Sequence, residues 1–470
     1  MERKTPILDM LKEYIEKDTV RFHMPGHKGD AEYFGGELLK GDITELGASD
    51  NLLKPEGVIF DSQELHAERT GAAHSFYSVN GSSAGVMAML HAAVKDGEKV
   101  LMARDIHLSA VNALSLTGAV PVFLDVGTDP VSGLPGAVSI HDMEKALKEH
   151  ADVKAVYVTY PNYFGLCADL NGIAALAHEA KIPLLVDAAH AAHFPYSPLM
   201  PDDPAKAGAD AWCMSAHKTL PAMNQCATVN LGEGSLVDAG TVKHFLNMFT
   251  TTSPSYPLLA SLDYASAYMA EKGNYELYRI VSLTERFTEL AEEIKGLQCV
   301  GMEIIGRANI ADKDILKLTI DVSGRNITGF MAKQALEASG IYIETADLKH
   351  ILLIVTVADN EDTFNALLNA LQNLPEGIRY NYSFSPYLLP DAEFYISPKE
   401  ALWCKMCKMP FAHAAGFAAA RAAGVYPPGI PCLMPGQIIT KEIVTYLTEA
   451  MHSGFEVFGV EDNCLFAADI

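Results

Sequence analysis

From about residue 70 to residue 250 the sequence alternates short apolar runs of strand length with longer segments of helical spacing, a pattern that few folds accommodate. Residues 75–79 read as a strand and 84–94 as a helix; residues 99–102 and 108–117 repeat the pair. Further short apolar runs follow at 120–124, 155–159, 183–186 and 211–214. Strands separated by helices are not joined by hairpins, so they pair parallel, with helices on both faces of the sheet. The pattern predicts an α/β domain whose site lies at the C-terminal ends of its strands. After about residue 300 the pattern changes. Strands at 314–322 and 351–357, with helices at 328–339 and 362–374, read as a smaller α+β unit. We expect a large domain over residues 1–300 and a small one over 301–470. The segment 385–390 sets off a tail in which 412–423 reads as an Ala-rich helix or loop.

With 49% hydrophobic and 20% charged residues, the chain has the means to bury a large core. A formal net charge of −24 argues against non-specific nucleic-acid binding and against an anionic membrane surface. No apolar run is long enough to span a bilayer. No apolar stretch follows Glu2-Arg3-Lys4, so no signal peptide is read. The eight cysteines are scattered except for Cys404-Lys405-Met406-Cys407, a lone pair read as structural, so no metal site is expected. A reducing, cytoplasmic setting is expected.

Two strand ends carry the chemistry. The run 182–186 ends at Asp187, and the run 209–214 leads into Ser215-Ala216-His217-Lys218-Thr219. An acid at one strand end and a lysine just past another is the pairing that pyridoxal 5'-phosphate (PLP) needs. The lysine binds the cofactor covalently, and the acid keeps the pyridine nitrogen protonated so that the ring accepts electrons. Alone, the two would read as a surface lysine and a helix cap. The string Asn80-Gly81-Ser82-Ser83-Ala84-Gly85 lies between a strand and a helix. There Gly81 lets backbone approach a phosphate, the helix start offers N–H groups, and Ser82 and Ser83 add hydroxyls. Either serine is equally an ordinary N-cap. Ser215 is placed to reach the same phosphate. His107 is placed to stack on a cofactor ring or to cap its helix. His217 is a candidate proton donor or phosphate contact, while His190 and His193 read as loop supports.

These residues sit among longer strings: His23-Met24-Pro25-Gly26-His27-Lys28-Gly29, Asp42-Ile43-Thr44-Glu45-Leu46 and Pro55-Glu56-Gly57-Val58-Ile59. Thr252-Ser253-Pro254-Ser255-Tyr256-Pro257 and Tyr426-Pro427-Pro428-Gly429-Ile430-Pro431 follow in order. Nearly end to end, the chain resembles the Orn/Lys/Arg decarboxylase family in its short bacterial form without a wing domain. The resemblance implies a fold-type I, aspartate aminotransferase-like PLP enzyme. It implies that Lys218 carries PLP, Asp187 pairs with the ring nitrogen and His107 stacks on the ring. Gly81, Ser82, Ser83, Ser215 and His217 would surround the phosphate. Thr252 and Ser253 would reach the neighbouring subunit's cofactor, which implies a homodimer with shared sites and leaves higher assembly open. The implied reaction is α-decarboxylation of arginine, lysine or ornithine, in polyamine synthesis or acid resistance. Either His217 or the released Lys218 would return the proton to Cα.

The sequence departs from the family where the substrate side chain should be read. Gln437 follows Pro435-Gly436 in place of glutamate, and Gly416-Phe417-Ala418-Ala419-Ala420-Arg421 replaces a polar, acid-containing run. Leu108 stands for a lysine, Ala188 for an acid, and Asp50-Asn51-Leu52-Leu53 for Asp-Asp-Leu-His. A distal cation needs a carboxylate. Either another acid (Asp50 or Glu45, say) supplies it or the departing positions point away from the substrate, or the chain is a paralogue with another substrate, weakened catalysis or other PLP chemistry, or a PLP-binding pseudoenzyme. In the second case Gln437→Glu would raise activity, and an Arg421 facing the site would repel a dibasic substrate.

Overall fold

The computed structural model describes residues 3–17, 20–32, 35–378, 384–426 and 429–469. The chain forms two compact units, each assembled from separate stretches: Met1–Ala93 with Pro183–Tyr278, and Val94–Ile182 with Arg279–Ile470.

In the first unit four strands lie in the order His74–Ser78, Ala227–Leu231, Ala211–Met214, Leu184–Asp187. Leu184–Asp187 and Ala211–Met214 are parallel, with Asp187 opposite Cys213; Ala227–Leu231 runs antiparallel to both of its neighbours. The other three strands therefore end at the same edge of the sheet. Every residue of Leu184–Asp187, Ala211–Met214 and Ala227–Leu231 is buried, as in a sheet covered on both faces. Helix Gly81–Ala93 packs on this sheet with Ala84, Val86, Ala88, Met89 and Leu90 buried. At Gly85 a Cβ would stand 2.8 Å from Val229 Cγ2 and 3.0 Å from Cys213 Cβ, so the missing side chain lets the helix close on the strands.

In the second unit Lys99–Ala103 pairs in parallel with both Val120–Leu124 and Val153–Thr159. Helix Leu108–Thr117 links the first two. After residue 279 a four-stranded antiparallel sheet orders Thr345–Ala346, His350–Ile354, Lys317–Asp321 and Gln298–Cys299. Helices Gly329–Ala338 and Glu361–Gln372 accompany it. Strands Ala423–Tyr426, Ile430–Leu433 and Glu456–Phe458 then share a core with helix Lys441–His452, formed by Val425, Leu433, Ile439, Ile443 and Leu447.

The expected α/β architecture with a mostly parallel sheet and a smaller C-terminal α+β part is the one observed. The segment 412–423 is helical only over Phe411–Ala414. Gly416, at φ +95°, turns the chain out of the helix, and Ala418 and Ala419 form isolated bridges to Ile438 and Ala467. Pro427 and Pro428 lie outside the described residues. Among the described residues no helix is long and apolar enough to cross a membrane.

Candidate active site

Asp187 ends its strand buried, 4% exposed. Its Oδ1 accepts from the Ala189 N–H at 3.2 Å and from the Cys213 thiol at 3.8 Å. Burial, followed by the nearby Asp187 charge, pushes the Cys213 thiol well up, so no second anion forms beside the carboxylate. On the neighbouring strand the chain passes Ser215 into the one-turn helix Ala216–Thr219. There the Lys218 N–H donates to the Ser215 carbonyl at 3.1 Å. Lys218 Nζ stands 3.2 Å from Nε2 of His190, a buried imidazole three residues after Asp187. The sequence reading gave His190 only a supporting part. The parallel pairing of the two strands is what brings it to the lysine.

The Gly-Ser loop meets the same strand end. Gly81 has φ +71°, its N–H donates to the Gln225 carbonyl at 2.9 Å, and a Cβ there would have nothing within 4 Å. Ser215 Oγ donates to Ser82 Oγ at 2.8 Å; Ser83, half-buried, is the next residue of the helix. The Gly81 position is open, and the Ser82–Ser215 hydroxyl pair lies at the start of a thirteen-residue helix, the kind of donor set that holds a phosphate. The exposed residues Thr252 and Ser253 adjoin this loop: Thr251 N–H donates to Asn80 Oδ1 at 3.3 Å, and Ser253 N–H donates to Thr251 Oγ1 at 3.2 Å.

His217 Nδ1 lies 2.9 Å from the Cys226 carbonyl. A carbonyl only accepts, so Nδ1 carries the ring proton and Nε2 a lone pair. Burial lowers the pKa of this imidazole; the Cys226 carbonyl opposes the shift and the Lys218 charge adds to it. His217 is thus a neutral ring with its proton already engaged. His107 belongs to the second unit, where it follows Lys99–Ala103 and caps helix Leu108–Thr117. Its Nδ1 accepts from the Ser109 N–H at 3.1 Å and lies 2.8 Å from Ser109 Oγ. Both contacts use the ring edge, so the capping alternative is realised and the ring faces take no part in it.

The family descriptions for the Orn/Lys/Arg decarboxylase major domain and C-terminal domain match residues 5–363 and 395–463. The chain belongs to the Orn/Lys/Arg decarboxylase family. It is 37% identical to the arginine decarboxylase of Halalkalibacterium halodurans, over 98% of this chain and 96% of that protein. It is 34% identical to the arginine decarboxylase of Bacillus subtilis, over 99% of this chain and 97% of that protein. The solved lysine decarboxylase of Francisella novicida superposes with a TM-score of 0.86 at 18% identity, covering 99% of this chain and 81% of that one. The fold is that of the fold-type I enzymes, and the protein is an amino-acid decarboxylase, a lyase.

Family membership sharpens the question of the departures. Asp50, at φ +65°, accepts from the backbone N–H groups of Asn51 (2.8 Å), Glu56 (3.0 Å), Gly57 (2.9 Å) and Ile59 (2.9 Å). Both oxygens are held by backbone, two of the four N–H groups coming from the start of helix Val58–Thr70, which corrects its reading as a cation ligand. Glu45 differs: Oε2 accepts from Thr44 Oγ1 at 2.6 Å, while Oε1 has no hydrogen-bond partner among the described residues. Gln437, 2% exposed, accepts from Met434 N–H at 2.8 Å and donates to the Ala392 carbonyl at 2.9 Å. Both ends of its amide hold backbone. Arg421 lies 4.1 Å from the Phe466 ring centroid, 3.3 Å from Met406 Sδ through Nε and 3.7 Å from a Glu461 oxygen. Its charge is met within the C-terminal part.

Proposed function

We propose that this decarboxylase is PLP-dependent and acts on a basic L-amino acid, arginine first, releasing carbon dioxide and the amine that feeds polyamine synthesis. The observation that carries the reading is the buried Asp187 carboxylate and the Lys218 amine on neighbouring strand ends, beside the Ser82–Ser215 hydroxyl pair. This donor set fits the cofactor: hydroxyls and helix N–H groups for a phosphate, a carboxylate for a basic ring nitrogen, an amine for an aldehyde. Bound there, PLP would supply a ring that takes up the electron pair of the Cα–carboxylate bond as carbon dioxide leaves.

The remaining work belongs to the chain. Asp187 holds a proton at the ring nitrogen, and Lys218 holds the cofactor between turnovers. Gly81, Ser82, Ser83, Ser215 and His217 hold the phosphate, and His107 covers the ring. Thr252 and Ser253 serve the site of a second copy, making a homodimer. Lys218 rather than His217 returns the proton to Cα, because the His217 proton sits on Nδ1 and is given to the Cys226 carbonyl. Glu45 takes the distal cation, through the oxygen that lacks a partner among the described residues. The arginine preference rests on the likeness, over nearly the whole chain, to the arginine decarboxylases of Halalkalibacterium halodurans and Bacillus subtilis.

The test is carbon dioxide release by PLP-supplemented protein on arginine, lysine and ornithine, with Lys218→Ala as the inactive control. Release from arginine is expected. Silence on all three by protein that binds PLP would end the reading and leave another substrate or the pseudoenzyme. Dimerisation is checked by sedimentation, and the cytoplasmic setting by fractionation of cells.

A further inference from the structure

We propose that His190 is a positioning residue: through Nε2 it holds the Lys218 amine and keeps on it the proton that Lys218 returns to the substrate carbon. What the proton is used for rests on the function proposed above; the contact itself does not.

Nζ and Nε2 are 3.2 Å apart, inside hydrogen-bonding distance. An ammonium has three donors and no acceptor, so a charged Nζ requires Nε2 to accept, with the imidazole proton on Nδ1. An acceptor so placed stabilises the charged amine. Three other titratable groups of this unit stand nearby. Asp187 is held by the Ala189 N–H and the Cys213 thiol. Cys213 stays a neutral thiol, and His217 is a neutral ring turned to the Cys226 carbonyl. Among the described residues the His190 imidazole meets Nζ, through the Nε2 lone pair. Burial at 6% exposure keeps that contact from being exchanged for water.

The step balances. After the carboxylate leaves, the electron pair it released forms a C–H bond at Cα with a proton from Nζ, and one N–H bond of Nζ breaks. The amine is left neutral and still has N–H groups to donate to Nε2. A lysine without this partner would lose a hydrogen bond to its charged form and would also lose its direction.

The experiment uses the full-length, cofactor-free protein. Lysines are acetylated competitively with acetic anhydride across pH, and the Lys218 peptide is quantified by mass spectrometry. His190→Ala is expected to lower the Lys218 midpoint by about one pH unit, the size of a lost hydrogen bond to a charged group. His190→Gln, whose amide oxygen can accept, restores most of the wild-type midpoint. Where the alanine variant does not fold, His190→Phe gives the same comparison. An unchanged midpoint in a folded variant lacking the acceptor overturns the proposal. With PLP and arginine, His190→Ala should lose about 100-fold in kcat with KM retained. An unaltered kcat removes the proton assignment. Because no substrate enters the acetylation experiment, an error in the proposed substrate leaves that result readable.

Discussion

Asp50 uses both carboxylate oxygens on backbone, and four N–H groups converge on it. Burial opposes its ionisation, yet the amides of Glu56, Asn51, Gly57 and Ile59 outweigh burial and hold its pKa below the usual value. Its stabilising contribution is therefore complete above the ordinary carboxylate range and is lost as pH falls through the lowered value. Asp50→Ala should cost about 1–2 kcal/mol in urea unfolding at neutral pH, with KM for arginine unchanged. The two unfolding curves should converge in acid. Gln437 makes the complementary case. A glutamate there turns an oxygen toward the Ala392 carbonyl that now receives the amide N–H. Gln437→Glu is expected to destabilise by about 1–3 kcal/mol and to leave carbon dioxide release no higher. A gain in release would restore the reading of Gln437 as a lost substrate carboxylate. Sequence alone could not separate these cases, because a substituted family residue looks the same whether it faces a substrate or clamps a loop. Lys218, Asp187 and the serines were legible because strand ends are; the His190 contact needed the pairing of two strands.

Among the elements, apolar runs announced the strands to within a few residues, and Leu108–Thr117, Val120–Leu124 and Ala211–Met214 fall where the runs predict. Helix Val58–Thr70 escaped that reading for a physical reason. Its buried face carries Ser62, Gln63, His66 and Thr70, so it has little hydrophobic period to detect. Two of those groups reach distant partners, Ser62 to Tyr77 and Asp263 and His66 Nδ1 to Ser266, while Thr70 bonds within the helix. The Gly81–Ala93 helix gives a test of how an element sets the site. Gly85→Ala should cost about 1–3 kcal/mol and weaken PLP binding, since the added methyl pushes the phosphate-facing helix off Val229 and Cys213. Thermal melting and cofactor titration read the two effects separately; a variant with unaltered affinity for PLP would detach the helix position from the phosphate site. A second element-level test lies in the turn before His350–Ile354. Asp347 accepts from His350 Nδ1 at 3.0 Å and from Tyr387 OH at 2.7 Å. Burial pulls the His350 pKa down, but Asp347 outweighs it and the net shift is upward; burial raises Asp347, and His350 outweighs that. The histidine's contribution is present below the ordinary imidazole range and lost as pH rises through its raised value. The aspartate's is lost as pH falls through its lowered value. Melting temperature should therefore decline on both sides of the interval between the two, and His350→Gln should flatten the alkaline limb.

At the scale of the whole molecule, the division near residue 300 remains our proposal for the boundary between cofactor-binding and C-terminal parts, and contacts within the second unit say how such parts would behave. The stretch Val94–Ile182 is completed by residues far beyond that boundary. Arg104 donates to the carbonyls of Pro431 (2.7 Å) and Cys432 (3.2 Å). Asp129, wholly buried, meets Arg307 Nε at 3.1 Å, and Tyr163 OH donates to Glu344 at 2.7 Å. Leu166 and Cys167 pair with Lys313 and Asp312. The helix capped by His107 packs against Pro398–Trp403. A fragment ending at residue 300 leaves the buried Arg104 guanidinium and the Asp129 carboxylate without these partners, each a cost of several kcal/mol. Expressed alone, residues 1–300 should aggregate and fail to bind PLP. Expressed together with 301–470, they should co-purify as a soluble pair that binds it, because the missing carbonyls, Arg307 and the packing of the His107 helix return with the second fragment. A soluble, cooperatively unfolding 1–300 that binds PLP unaided would mean that His107 is held by its own stretch, and that the C-terminal part contributes elsewhere.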